Sequence, residues 1–183
     1  KLTEDTIVLF TSDHGNCLGP PNPPTKHNIY EESMRIPFIV RWPGKIRPRQ
    51  DDLLISVPDI YPTLMELMGH RDKIPAAVQG TSHAGLFLSG AGRRSTAQLY
   101  LKIPFDQPSD GLRGIRTQQY KLIVTALAQR PLQYQLFDLK SDPYEMSDVA
   151  AQRPELVEQL IQEELYPRLK NTNDPWIKHI IPD

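Results

Sequence analysis

The first part of the chain carries apolar runs and one amphipathic segment, which predict alternating strands and helices. Ile7–Thr11 is a predicted strand whose run Ile7–Phe10 is apolar on both faces, as is typical of a buried strand in a parallel sheet. Pro37–Trp42 is a second predicted apolar strand. Downstream, the apolar residues Ile60, Leu64 and Leu67 recur at helical spacing and predict a helix. Ser56 or Asp59 can cap the start of this helix, and Gly69 can end it in a left-handed conformation.

The second part of the chain has shorter apolar runs with tight connections, which predict an antiparallel sheet. Four strands are predicted there: Gln98–Lys102, Leu112–Thr117, Tyr120–Thr125 and Tyr134–Leu139. Gln118-Gln119 leaves room only for a hairpin turn, and hairpins pair their strands antiparallel. Apolar residues at i, i+4 spacing then predict a final helix over residues 154–166, which Pro167 is expected to stop.

A stretch of small and polar residues, 79–98, separates the two patterns. We therefore predict that residues 1–78 form the C-terminal part of an α/β domain. Residues 79–183 are predicted to form a smaller subdomain with the antiparallel sheet and the helix. Because the strand at residues 7–11 follows the first residue so closely, the chain is expected to begin within a fold. Unpaired strand edges associate, so self-association through this strand is also expected.

Composition excludes several classes of protein. The chain has 21 basic and 22 acidic residues and a net charge of -1, so no basic excess points to nucleic acid. Its apolar runs are only a few residues long, whereas a membrane helix needs roughly 20, so no membrane span is expected. A single cysteine, Cys17, excludes an intrachain disulfide.

Candidate chemistry lies just after the first predicted strand. Ligands of open α/β sheets bind at the carboxyl ends of strands, which is where Asp13 and His14 follow Ile7–Thr11. A carboxylate oxygen and an imidazole nitrogen suit a divalent cation, although a turn Asp beside a surface His fits the same pattern. Lys26 can hold an anionic group or can be a solvated side chain, and His27 has the same ambiguity.

Other charged residues are expected to lie on solvated faces of helices and strands, where ion pairs contribute little. These residues are Glu31, Glu32, Arg35, Arg113, Arg116 and Lys121. For the first three of them, binding of a metal or a substrate is the alternative. No Gly-rich phosphate loop and no Ser in a G-x-S-x-G setting is found in the sequence.

Read together, several segments resemble the sulfatase family of the alkaline-phosphatase-like superfamily. They are Thr6–Gly15, Lys26 with Tyr30–Ser33, Arg35–Val40, Trp42-Pro43-Gly44, Pro58–Leu64, Gly114–Thr117 with Tyr120-Lys121-Leu122, and Leu136–Leu139 with Asp142–Glu145. The resemblance spans nearly the whole chain in order. It implies the end of an alkaline-phosphatase-like α/β domain, followed by a small subdomain with a four-stranded antiparallel sheet and a C-terminal helix.

The resemblance also implies a site and a reaction. Asp13 and His14 fall where sulfatases place two ligands of a divalent cation, which is usually calcium, with magnesium or manganese as alternatives; many members have Asn in place of His14. Lys26 falls where a catalytic Lys contacts the sulfate oxygens, and His27 beside it is a second substrate-binding candidate. The implied reaction is hydrolysis of a sulfate ester by a formylglycine nucleophile. Family members are often periplasmic, secreted or lysosomal.

The chain departs from the family pattern in one decisive respect. It has no C/S-x-P-x-R motif, from which formylglycine is made, so the nucleophile is expected in a missing N-terminal half. The chain alone is therefore expected to be inactive. Two other functions fit the same residues: a phosphodiesterase or phosphonate monoester hydrolase of the superfamily, and a non-catalytic binding or scaffold domain.

Overall fold

A computed structural model of the chain describes residues 2–18, 26, 28–104, 106–108, 110–127 and 130–180. The strands are β1 (Val8–Thr11), β2 (Phe38–Arg41), β3 (Ala97–Lys102), β4 (Gly111–Thr117), β5 (Tyr120–Ala126) and β6 (Gln133–Asp138). The α-helices are α1 (Glu31–Met34), α2 (Val57–Leu67), α3 (Ala84–Ser89), α4 (Pro154–Leu160), α5 (Tyr166–Asn171) and α6 (Ile177–Ile180). Two 3-10 helices lie at Arg71–Lys73 and Ala150–Gln152. The predicted fold class, with its four-stranded antiparallel sheet and C-terminal helix, is confirmed.

The chain divides into two compact units. The first comprises Lys1–Thr11 and Pro37–Ser95, and the second comprises Ser12–Ile36 and Thr96–Asp183. Residues 12–36 are thus grouped with the C-terminal sheet. The predicted domain boundary at residues 78/79 stays a prediction.

The first unit contains β1, which was predicted to lie in a parallel sheet, and β2. That prediction is wrong for this chain, because β1 pairs antiparallel with β2. These two strands form a sheet by themselves, so one of its faces lacks a covering layer among the described residues. Val8 and Phe10 on that face are 47% and 59% exposed, as is Ile39 opposite Phe10 at 59%.

Helix α2 begins and ends as its sequence predicts. Ser56 is the N-cap, and a capping box forms in which the Ser56 backbone N–H donates to Asp59 Oδ2 at 2.8 Å. Gly69, just beyond the helix, has a φ of 78°, a conformation that favours glycine. The second carboxylate oxygen of Asp59 accepts from Thr81 N at 2.7 Å, which ties the later loop to this cap.

The second unit is built on the sheet β3-β4-β5-β6, in which all neighbours are antiparallel. The predicted hairpin at Gln118-Gln119 joins β4 to β5. Because side chains alternate along a strand, the sheet has two distinct faces. Both are covered: Leu122 and Leu136 pack against the C-terminal helices, and Ile123 and Phe137 pack against Ile29.

The C-terminal helix extends beyond its predicted end. Pro167 was expected to stop it, but α4 continues through a π-helical turn, Ile161–Leu165, into α5. Proline lacks the N–H of a regular α-helical bond and crowds the preceding turn. The wider turn, in which Tyr166 N donates to Ile161 O, relieves this crowding, and Pro167 falls in the first turn of α5. No described helix is both long and apolar enough to cross a membrane.

Candidate functional site

Asp13 presents an ionised carboxylate just after the end of β1. Its Oδ1 accepts a hydrogen bond from His14 N at 2.9 Å, and its side chain is 86% exposed. The hydrogen bond from His14 N and the nearby His14 ring hold the pKa of Asp13 below its ordinary value. The Ser12 hydroxyl donates to His14 O at 2.7 Å and fixes the turn. The carboxylate is therefore available as a hard oxygen ligand.

The His14 ring is oriented by the backbone of its neighbour. Its Nδ1 lies 2.7 Å from Gly15 O. A carbonyl oxygen can only accept, so Nδ1 must carry the proton, and a neutral ring then keeps its lone pair on Nε2. An imidazole fixed in this way by a backbone carbonyl is the usual form of a metal-ligating histidine.

The two potential ligand atoms fit a single cation. His14 Nε2 lies 3.6 Å from Asp13 Oδ2. Two atoms at that separation subtend an angle of about 100° at an ion bound at roughly 2.2–2.4 Å, which is common in octahedral and larger coordination shells. No group of three or more His, Cys, Asp or Glu side chains with metal-binding geometry is found among the described residues. A cation held by Asp13 and His14 would therefore need further ligands from outside the described residues.

Gly15 fixes this turn against α1. Its N–H donates to Ser33 O at 2.8 Å. A Cβ built at Gly15 would overlap the carbonyl oxygen of Glu32, so only glycine allows this close approach. The position of the Asp13-His14 pair therefore depends on the position of α1.

Helix α1 is held in turn by a buried ionic cluster, defined as Glu31, Lys121, Glu145 and Arg116. The Lys121 ammonium is fully buried and lies 2.8 Å from Glu31 Oε1 and 2.8 Å from Glu145 Oε1. It also donates to Ile29 O at 2.7 Å. Glu145 Oε2 accepts from Glu31 N at 2.6 Å, at the first residue of the helix. Lys121 of the sheet thus holds one end of the segment 29–31, and Glu145 of the loop after β6 holds the other.

The pKa values of the two carboxylates in the buried ionic cluster are shifted in opposite directions. Burial alone would raise the pKa of Glu31, but Lys121 and Arg116 bring it below its ordinary value. Burial raises the pKa of Glu145, and the lowering by Lys121 does not cancel this effect. Glu145 also has a φ of 55°, in the left-handed region that non-glycine residues seldom adopt.

The expectation that these charges lie on solvated faces is wrong for three residues. Glu31 is 8% exposed, and Lys121 and Arg113 are fully buried. Arg113 lies on the opposite face of the sheet from Lys121, where it forms a bidentate pair with Asp174 at 2.9 and 3.1 Å and stacks on Trp176. The physical reason is that both faces of the sheet are covered, so a charged side chain in β4 or β5 must find a buried partner.

The other two predicted site residues, Lys26 and His27, are not connected to Asp13 and His14 by a described contact. Lys26 is exposed, and no hydrogen bond or ion pair joins it to Asp13 or His14 within the described residues. His27 lies outside the described residues. The two sides of the intervening loop do meet, because Asn28 Nδ2 donates to the buried Cys17 Sγ at 3.5 Å. The roles of Asp13, His14, Lys26 and His27 stay predictions.

The buried ionic cluster was missed by reading the sequence, although one signal pointed to it. Lys121 and Ile123 are two residues apart in β5, so their side chains lie on the same face of the sheet. A face that carries buried Ile123 is covered, and a covered lysine needs an acidic partner. The identity of that partner, Glu31 or Glu145, could not be read from spacing.

Comparison with known proteins identifies the family. Residues 25–174 match the model of the N-sulphoglucosamine sulphohydrolase C-terminal domain. The chain is 40% identical to an endo-4-O-sulfatase of Bacteroides thetaiotaomicron, over 96% of this chain and 37% of that protein. It is 32% identical to arylsulfatase K of Gallus gallus, over 87% of this chain and 30% of that protein. The chain thus spans between 30% and 37% of the length of these relatives.

Solved structures agree. The sulfatase-type protein yidJ of Bacteroides fragilis superposes with a TM-score of 0.90 at 39% identity, over 97% of this chain and 38% of that one. A phosphonate monoester hydrolase of Agrobacterium radiobacter, at 24% identity and a TM-score of 0.73 over 91% of this chain and 36% of that one, shares the fold. The chain therefore belongs to the sulfatase family of the alkaline-phosphatase-like superfamily and carries its C-terminal region.

Proposed function

We propose that the whole protein to which this chain contributes hydrolyses sulfate esters, converting RO–SO₃⁻ and water to an alcohol and sulfate. Membership of the sulfatase family supports the reaction class. The observation that carries the site assignment is the paired geometry of Asp13 Oδ2 and His14 Nε2, 3.6 Å apart.

Asp13 and His14 hold a divalent cation in this proposal, with calcium as the first choice and magnesium or manganese as alternatives. Such an ion supplies polarisation of the sulfuryl oxygens and favours deprotonation of the nucleophile. Asp13 contributes an anionic oxygen that stays ionised well below neutral pH. His14 contributes a nitrogen whose direction Gly15 O fixes.

Lys26 acts on the substrate. Its ammonium stabilises the negative charge that develops on the sulfuryl oxygens, and His27 adds a second polar contact to the same group. Because Lys26 is exposed, it can reach a bound ester without the cost of removing it from a buried partner.

The attacking group comes from outside residues 1–183. We propose a formylglycine hydrate on the ground of family membership. The C/S-x-P-x-R motif that gives rise to it is absent from residues 1–183. The chain alone then supplies part of a cation site without a nucleophile, and it is inactive by itself.

A substrate panel tests the reaction class. The whole protein is given an aryl sulfate, an aryl phosphate diester and an aryl phosphonate ester at equal concentration, and phenol release is followed. We expect kcat/KM to be greatest for the sulfate, and no release by the chain alone. Preference for a phosphorus ester would assign the protein to the phosphodiesterase or phosphonate hydrolase alternative. Absence of turnover with all three would favour a binding or scaffold domain.

A further inference from the structure

A cleft of about 340 Å³ lies in the second unit, beside α1 and the β4–β5 hairpin. It is lined by residues of three separate segments and contains neither Asp13 nor His14. The polar side chains of the cleft are Glu31, Arg35, Arg116, Gln118, Gln119 and Lys140.

The cleft carries an excess of positive charge. Arg35, Arg116 and Lys140 line it together with one acid, Glu31. A second carboxylate, Asp138, borders the cleft through its hydrogen bond with Gln119. The charge of Glu31 is already matched, because Lys121 lies 2.8 Å from one of its oxygens and Arg116 lies 3.4 Å from the other. Arg35 and Lys140 are exposed and make no ion pair within the described part of the chain. The charged groups in and beside the cleft therefore keep a net positive charge that can attract an anion.

Two side chains that line the cleft, Arg116 and Gln119, are held in place by hydrogen bonds. The Arg116 guanidinium donates from Nη1 to Thr117 O at 2.9 Å, and its side chain is only 15% exposed. Gln119 Nε2 donates to Asp138 Oδ2 at 3.2 Å, so the amide is held by its neighbouring strand. A fixed guanidinium matches the planar or tetrahedral oxygens of an oxyanion, and the amides can bond hydroxyl groups.

The size and lining indicate what kind of molecule carries the anion. A volume of about 340 Å³ is near the lower end of small-molecule sites, roughly 300–1,000 Å³, and suits one sugar ring with an acidic substituent. Leu139 and Pro143 complete the lining and offer apolar surface to the C–H face of such a ring. We propose that this cleft binds a saccharide unit through its acidic group, a sulfate or a carboxylate, with Arg35 and Lys140 as the contacting cations.

This inference is independent of sulfate-ester hydrolysis, and the full chain can test it directly. The chain is titrated by NMR at low salt with galactose 6-sulfate, galacturonate, galactose and inorganic sulfate. We expect at least one acidic sugar to bind tenfold or more tightly than galactose and inorganic sulfate, with shifts at Gln118 and Gln119. Which acidic sugar binds more tightly identifies the acidic group.

A matched pair of double variants separates the cleft from general surface charge. Arg35→Gln with Lys140→Gln should weaken binding of that sugar at least tenfold. Arg47→Gln with Lys45→Gln, which removes the same charges from exposed positions outside the cleft, should leave binding unchanged. Asp13→Asn should also leave it unchanged, so failure of the cation site cannot be mistaken for failure of the cleft. Equal binding of galactose, equal binding of inorganic sulfate, or equal weakening by both double variants would overturn the proposal.

Discussion

Lys121 is the residue on which the buried ionic cluster depends. Its ammonium has no access to solvent and lies 2.8 Å from two carboxylates. Lys121→Met would leave those carboxylates buried without their cation. Loss of one partner of a buried pair costs about 3–5 kcal/mol, and we expect a destabilisation of that size in urea unfolding followed by circular dichroism.

Two further variants control this result. Lys45→Met removes an exposed lysine and should change stability by less than about 0.5 kcal/mol. Adding Glu31→Gln and Glu145→Gln to Lys121→Met should restore part of the loss, because the uncompensated charges are then gone. A Lys121→Met protein as stable as the wild type would show that the cluster does not hold the segment 29–31.

Glu145 gives the cluster a pH dependence. Burial raises its pKa in the folded protein above the ordinary value of 4.5. A carboxyl with a raised folded pKa contributes stability that is present below the unfolded pKa and is lost as pH rises through the folded pKa. We therefore expect Glu145→Gln, which cannot titrate, to gain stability relative to the wild type as pH rises above 4.5. Unfolding free energies of both proteins from pH 4 to 7 check this, and a difference that moves the other way would contradict it.

At the scale of secondary structure, the periodicity of apolar residues predicted which strands and helices form better than it predicted strand pairing and helix ends. The four strands of the antiparallel sheet, its hairpin and the cap of α2 follow from local patterns. The pairing of β1 does not follow from such a pattern. An apolar run indicates that a strand is buried, but it does not identify the strand with which it pairs. The end of the last helix was also missed, since a π-helical turn accommodates Pro167 and has no simple sequence signal.

The exposed face of the β1–β2 sheet is predicted to drive self-association. Phe10 and Ile39 oppose each other and are each 59% exposed, and contiguous apolar surface of this kind tends to be covered by another molecule. Phe10→Lys should shift the chain toward monomer in sedimentation velocity at high concentration. Tyr144→Lys, which removes a single exposed aromatic elsewhere, serves as the control. A wild-type chain that stays monomeric throughout would refute the prediction.

At the scale of the whole molecule, a short motif places Asp13 beside His14, and long-range packing places the helix that supports them. Asp13 and His14 are adjacent in sequence, so their proximity could be predicted. The cluster that holds α1 joins residues 31, 116, 121 and 145, which no spacing rule connects. The C-terminal subdomain therefore has a structural link to the candidate site, through α1 and Gly15.

Asp13 and His14 are proposed to hold the cation used in sulfate-ester hydrolysis. The most direct test is the concentration of calcium that gives half-maximal aryl sulfatase rate in the chelator-stripped whole protein. We expect Asp13→Asn and His14→Gln to raise it at least about tenfold, since even residues that only orient ligands contribute ~10–100-fold to metal affinity. Asp72→Asn, which removes an exposed carboxylate elsewhere, should leave it unchanged. Unchanged calcium dependence in both Asp13→Asn and His14→Gln would contradict the claim.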